Sequence, residues 1–179
     1  MKSIKTLATI TLVCSAMLSM PAFAQKTQKL SDPEVASVAV VANQIDIDYA
    51  MIAKRKSKNA EVLRFAETMA KDHQSVIDQA VALVTKLGVT PKDNAVSKSL
   101  QAGALTTKKM LNSKSGAAFD KAYVDNEVAY HKAVIKTVET VLIPNASNKE
   151  LKDLLQSVMP LFKTHLEHAE MVQKMYSKK

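Results

Sequence analysis

The chain of 179 residues has one cysteine, no tryptophan, three glycines and five prolines, and only 4% of its residues are aromatic. Each scarcity excludes something. A lone thiol, Cys14, forms no internal disulfide, and Cys-x-x-Cys-His haem attachment is absent. So few turn residues cannot punctuate the many short strands of a β-sandwich or barrel, and a collagen-like or disordered chain would need far more glycine and proline. Neither a Gly-x-Ser-x-Gly elbow nor a Gly-rich phosphate loop occurs, so no hydrolase or transferase constellation is visible. What remains is a 47% hydrophobic, 23% charged chain, the composition of a globular helical protein.

Lys2 and Lys5 precede an apolar run from Leu7 to Met20, followed by Pro21-Ala22-Phe23-Ala24. A basic start, a short apolar stretch and a small-residue site have the form of a secretory signal peptide cleaved after Ala24. The expected organisation is therefore a leader over 1–24, a linker over 25–31 and one helical domain over 32–176, exported to the periplasm or the outer membrane. Cys14 would leave with the leader. No further stretch reads as a membrane span, so the mature chain is expected to have no transmembrane segment. The net charge of +8 comes almost wholly from lysine, with Arg55 and Arg64 the only arginines. Nucleic acid is not an expected partner, because phosphate recognition favours arginine.

Hydrophobic spacing predicts four long helices. Helix A, 32–56, opens with the capping pair Ser31 and Glu34 and carries the seam Val35, Val38, Ala42, Ile45, Tyr49 and Ile52. Helix B starts after Ser57 or Asn59 and runs through Val62, Phe65, Met69, His73, Val76, Ala80, Leu83 and Leu87 to a cap at Gly88. Residues 89–116 are less periodic and suggest a short crossing helix interrupted by Gly103. Helix C starts after Gly116, with Phe119, Tyr123, Asn126, Tyr130, Val134 and Val141 as its seam, and ends before Ile143-Pro144. Helix D opens with a Ser147/Glu150 capping pair, and Pro160 should kink it. Four stripes bury one another in a four-helix bundle with an extra short helix in the B–C connection.

Polar residues interrupt these seams at one level. His73, His131 and His165 stand near the middles of helices B, C and D, and Asp46 near the middle of helix A. In an antiparallel bundle midpoints meet, so the four side chains are expected to converge. Asp72, Glu127 and His168 are close enough in sequence to serve as further ligands or hydrogen-bond partners. Three imidazoles and a carboxylate suit one transition metal ion: zinc, copper, iron or manganese. Met69, four residues before His73, adds a thioether that would favour copper, although methionines on such seams mostly fill space. The Glu-x-x-His pairs of di-iron carboxylate bundles are missing, because Ala70, Val128, Phe162 and His165 occupy the positions three before each histidine. The competing reading is a metal-free polar layer that only sets helix register.

Four blocks carry a family resemblance: Phe65-Ala66-x-x-Met69-x-x-Asp72-His73, Leu87-Gly88-Val89, Phe119-Asp120-x-Ala122-Tyr123 and Pro160-Leu161-x-x-x-His165-Leu166-x-x-Ala169. Over about residues 32–173 the chain resembles the domain of unknown function 4142, exported bacterial proteins often labelled outer membrane proteins and considered ferritin-like in fold. The resemblance implies a ferritin-like bundle in the cell envelope, with an acidic residue at Asp46. The family's Asp-His pair in helix C is here Tyr130-His131, one carboxylate fewer. It implies no activity. Two functions stand side by side: a metal-handling or stress-related envelope protein, or a structural module meeting anionic lipid or lipopolysaccharide through Lys54-Arg55-Lys56, Lys108-Lys109 and Lys178-Lys179.

Overall fold

The computed structural model describes residues 29–177, and all their regular structure is helical. The leader, cleavage site and most of the linker lie outside the described residues. Helix α1 (Asp32–Lys56) is opened by the reciprocal Ser31–Glu34 box, and its last turn carries Lys54, Arg55 and Lys56 against the negative end of the helix dipole. After a three-residue turn, α2 (Ala60–Lys86) starts where the Asn59 side chain accepts from the Glu61 and Val62 amides. The two helices are antiparallel, as the cross-contacts Asn43–His73 and Lys54–Glu67 show. Gly88 ends α2 at a φ of 64°, where a residue with a Cβ would be strained.

The connection that follows contains more helix than its periodicity suggests. Helix α3 (Ala95–Asn112) runs 18 residues straight through Gly103. Asn94 caps it, and it lies parallel to α1, tied by Ser37–Asp93, Asp48–Lys108 and Lys56 to the Asn112 carbonyl. This return leg lets α4 (Gly116–Thr137) run in the same direction as α2, antiparallel to α1, with the Tyr130 hydroxyl donating to the Ala42 carbonyl. Rather than stopping before Ile143, the chain continues through a π-helical turn (Val138–Leu142) into α5 (Ile143–Asn145).

Helix D is two helices. α6 (Lys149–Ser157) and α7 (Met159–Ser177) are separated at Val158, with Pro160 in the first turn of α7, where its missing N–H is harmless. The expected Ser147/Glu150 capping pair is not formed. Asn148 caps α6 instead, accepting from the Leu151 amide, while Ser147 and Asn148 donate their own amides to Asp32 and Glu150 pairs with Lys86. α7 is antiparallel to α4 through Lys132–Glu170 and Asp125–Gln173.

Two expectations need correction. The core face of α4 is Phe119, Tyr123, Val124, Glu127, Val128 and His131; Asn126, Tyr130 and Val134 are only half-buried and turn towards α1 and α3. Helix α4 is lined on two sides: the predicted seam starts on the core face at Phe119 and Tyr123 and passes to the other side from Asn126 onward. Likewise α1, 25 residues long with an 18-residue window of mean hydropathy 1.3, is long and apolar enough to cross a membrane by length and composition, contrary to the expectation of no such segment after the leader. Most of that apolar window is buried against α2, α3 and α4, and its seam holds the buried Asn43 and Asp46.

Two apolar clusters fill the bundle. One gathers Tyr49, Phe65, Met69, Phe119, Tyr123 and Val172; the other Val35, Val38, Val76, Leu142, Leu155 and Phe162. Along each of α1, α2, α4 and α7, polar buried residues separate them: Asn43 and Asp46, His73, Glu127 and His131, and His165. One hydrophilic layer therefore crosses an otherwise dry core.

Candidate metal centre

The three histidine rings sit at the corners of a nearly equilateral triangle, with centroids 5.6, 5.1 and 5.5 Å apart for the pairs 73–131, 73–165 and 131–165. Each residue is at most 2% exposed. Each ring also has one nitrogen held by a group that can only accept, which settles the tautomers. On His73, Nδ1–H donates to Asn43 Oδ1 at 2.7 Å, and the Asn43 orientation is itself set because its Nδ2 donates to the Ala39 carbonyl at 2.8 Å. On His131, Nδ1–H donates to the Glu127 backbone carbonyl at 3.0 Å. On His165, Nε2–H donates to Asp72 Oδ2 at 3.0 Å.

The remaining nitrogens are lone pairs. His73 Nε2, His131 Nε2 and His165 Nδ1 are buried and have no hydrogen-bond partner. The four carboxyl oxygens of Asp46 and Glu127 beside them are buried too, the two carboxyls lying against each other and Glu127 also against the Asn126 amide. Asp46 Oδ2 stands 3.5 Å from His73 Nε2 and 3.7 Å from His131 Nε2, and Glu127 Oε2 stands 3.7 Å from His131 Nδ1. One donor atom from each of His73, His131 and His165 lies within 4.8 Å of the others, and the same holds for Asp46, Glu127 and His131. His131 belongs to both groups.

Electrostatics sharpen the picture. Burial holds His73 well below the usual imidazole range, reinforced by the neighbouring imidazoles of His131 and His165. Burial pushes His131 down to about 4 against the opposing bond to the Glu127 carbonyl. His165 is lowered by burial despite Asp72. Burial raises Asp46, and it raises Glu127 well above the carboxylate range, with the charge of Asp46 adding to the effect. Without a cation, the layer keeps its imidazoles neutral and its carboxyls protonated. A divalent ion inverts that preference, drawing the lone pairs inward and displacing the acid protons.

The sequence-derived residues divide clearly. His73, His131, His165 and Asp46 converge; Glu127 joins them as a fully buried carboxyl, and Asp72 acts from outside by holding His165. His168 does not join: it is half-buried and packs edge-on against Phe65, 5.0 Å between centroids. Met69 is wholly buried in the apolar cluster below the layer. Asn43 was missed, although an amide three residues before Asp46 on an apolar seam was the available sign. Phe162, stacked at 5.5 Å on His73, closes the layer on the far side.

A family model described as Domain of unknown function (DUF4142) matches residues 17–172. No curated protein and no solved structure matches the chain.

Proposed function

For this chain, which belongs to the DUF4142 family, we propose that the polar layer is a binding site for one divalent transition metal ion in an exported envelope protein. The observation that carries the reading is the gathering of three buried imidazoles, each with one unpaired ring nitrogen, beside two fully buried carboxyls, in two overlapping groups that share His131. Leaving such groups unmet costs about 1–3 kcal/mol each. A polar layer that only set register would leave no ring nitrogen unpaired; here one nitrogen of each histidine is buried without a hydrogen-bond partner. His73 Nε2, His131 Nε2, His165 Nδ1 and an Asp46 oxygen are the ligands, with Glu127 a second carboxylate. Asn43, the Glu127 carbonyl and Asp72 orient the three rings, the role that outer partners of metal-binding histidines commonly fill. The nitrogen-rich set suits zinc, copper, iron or manganese, and the ion would serve metal handling or envelope stress.

The leader-like segment Leu7–Met20 with Ala22-Phe23-Ala24 supports export. Tag-free protein, purified and analysed by elemental mass spectrometry, is expected to carry about one transition metal per chain. The His73→Ala/His131→Ala/His165→Ala variant should carry none, and equal content in the two would end the proposal.

A further inference from the structure

Beside the histidine layer, sharing Asn43 and Phe162 with it but none of its histidines, lies a cavity of about 600 Å³ lined mainly by α1, α3 and α4. It follows α1 from Ala36 to Tyr49, α3 from Ala95 to Thr107, and α4 with its π-helical turn from Asn126 to Leu142. At 1.5 Å per helical residue, these spans make it about 20 Å long. Its walls are apolar, and its lips are made of small residues: Ser99 and Gly103 on α3, Ala129 and Ala133 on α4, all exposed. Here lies the second face of α4, onto which the predicted seam passes from Asn126 onward. A void this size inside close-packed protein fits an occupant rather than a packing fault.

The two ends of the cavity differ. At the far end it is closed by leucines, including Leu142, Leu151 and Leu155. At the near end stand Tyr49, Thr107 and Asn126, whose side-chain amide also lies against the Glu127 carboxyl. Asn126 also borders an adjoining hollow that carries Lys114, Lys121 and Asp125. Asp125 is neutralised by Lys121 at 2.6 Å, which leaves the rim positive through Lys114.

We propose that this cavity binds a single long-chain carboxylate, its tail running between α1, α3 and α4 and its head at Asn126 and Lys114. Length and volume agree: C–C bonds of about 1.5 Å advance about 1.25 Å each in a zig-zag, so about sixteen carbons span the cavity. At roughly the 30 Å³ of a water molecule per carbon, they fill about 480 Å³. A docked helix, 10–12 Å across, would need about three times the cavity volume over the same length. An extended peptide would bring backbone amides into walls that offer them no partners.

Displacement of the fluorescent fatty acid cis-parinarate tests the proposal. Palmitate is expected to compete saturably at one site per chain, and octanoate at least tenfold more weakly. Gly103→Leu and Ala133→Leu, one on each lip, should each weaken palmitate at least tenfold while circular dichroism and thermal unfolding stay native-like; a Cβ at Gly103 meets nothing within 4 Å. Lys114→Ala should weaken palmitate severalfold and leave methyl palmitate unchanged. The triple histidine variant should bind palmitate like the parent, so failure of the metal reading leaves this one standing. Absence of saturable competition, unchanged affinity in both folded lip variants, or equal loss of acid and ester in Lys114→Ala overturns it.

Discussion

A ring nitrogen buried with neither proton nor partner is costly, and the proposed metal reading rests on three histidines that each have one and whose ligand atoms lie within 4.8 Å of one another. Their orientation comes from single groups, which makes those groups testable. Asp72→Ala removes the acceptor of His165 Nε2–H without touching a proposed ligand, and should weaken zinc about 10- to 100-fold in a chelator-competition titration. Unchanged affinity would mean that His165 is not a ligand. The carboxyls allow a pH test. The folded pKa values of Asp46 and Glu127 are raised by burial, so the stability they contribute is present below the unfolded value of about 4 and is lost as pH rises through the folded value. The lowered histidines act oppositely, losing stability as pH falls below about 6.5. Metal-free Asp46→Asn/Glu127→Gln, which cannot ionise there, should therefore match the metal-free parent near pH 4 and exceed it increasingly towards pH 8. Urea unfolding in chelator measures this, and added zinc should restore the parent's advantage. A pH-independent difference would place the carboxyls elsewhere than in the buried pair.

At the scale of elements, two glycines give opposite expectations. Gly103 is in mid-helix with open space around it, so Gly103→Ala should raise stability by about 0.5–1 kcal/mol through helix propensity. Gly88 closes α2 at a φ of 64°, so Gly88→Ala should lower it by about 1–2 kcal/mol. Denaturant midpoints decide both signs. The helix ends also show how far local sequence reaches. Ser31/Glu34 and Gly88 act as their spacing predicts, and of the two candidate starts of α2, Ser57 and Asn59, it is Asn59 that caps, because capping is settled within one turn. Ser147/Glu150 fails because Asp32, 115 residues away, takes the Ser147 amide and Lys86 takes Glu150. A local motif yields when a distant partner competes for its atoms.

For the whole molecule, a site drawing on four helices couples metal to folding. Zinc at about a hundred times its dissociation constant should stabilise the fold by about 2.7 kcal/mol, seen as a rise in thermal midpoint that chelator reverses and the triple histidine variant lacks. The lysine surface bears on the rival envelope-contact reading. Lys54, Lys86, Lys108, Lys121, Lys132, Lys149 and Lys163 each pair with an acid, which offsets part of the positive surface charge. Sedimentation with anionic liposomes should show binding that fades with salt only if a basic patch remains.

Helix class, the long helices and the middles at which their polar residues lie were legible from the chain, because burial repeats every three or four residues along a helix and needs no knowledge of neighbours. So were His73, His131, His165 and Asp46, since titratable side chains on apolar seams stand out. Tertiary structure alone decided the rest. Which face of α4 is core depended on α7 and α3 covering different sides; Glu127 became a buried carboxyl and Asn126 a cavity wall from the same helix turn. Asn43 gained its role only when α1 met α2, and His168 lost its place when α7 turned it towards Phe65. A linear pattern specifies which residues seek burial; three-dimensional packing selects the partners that meet there.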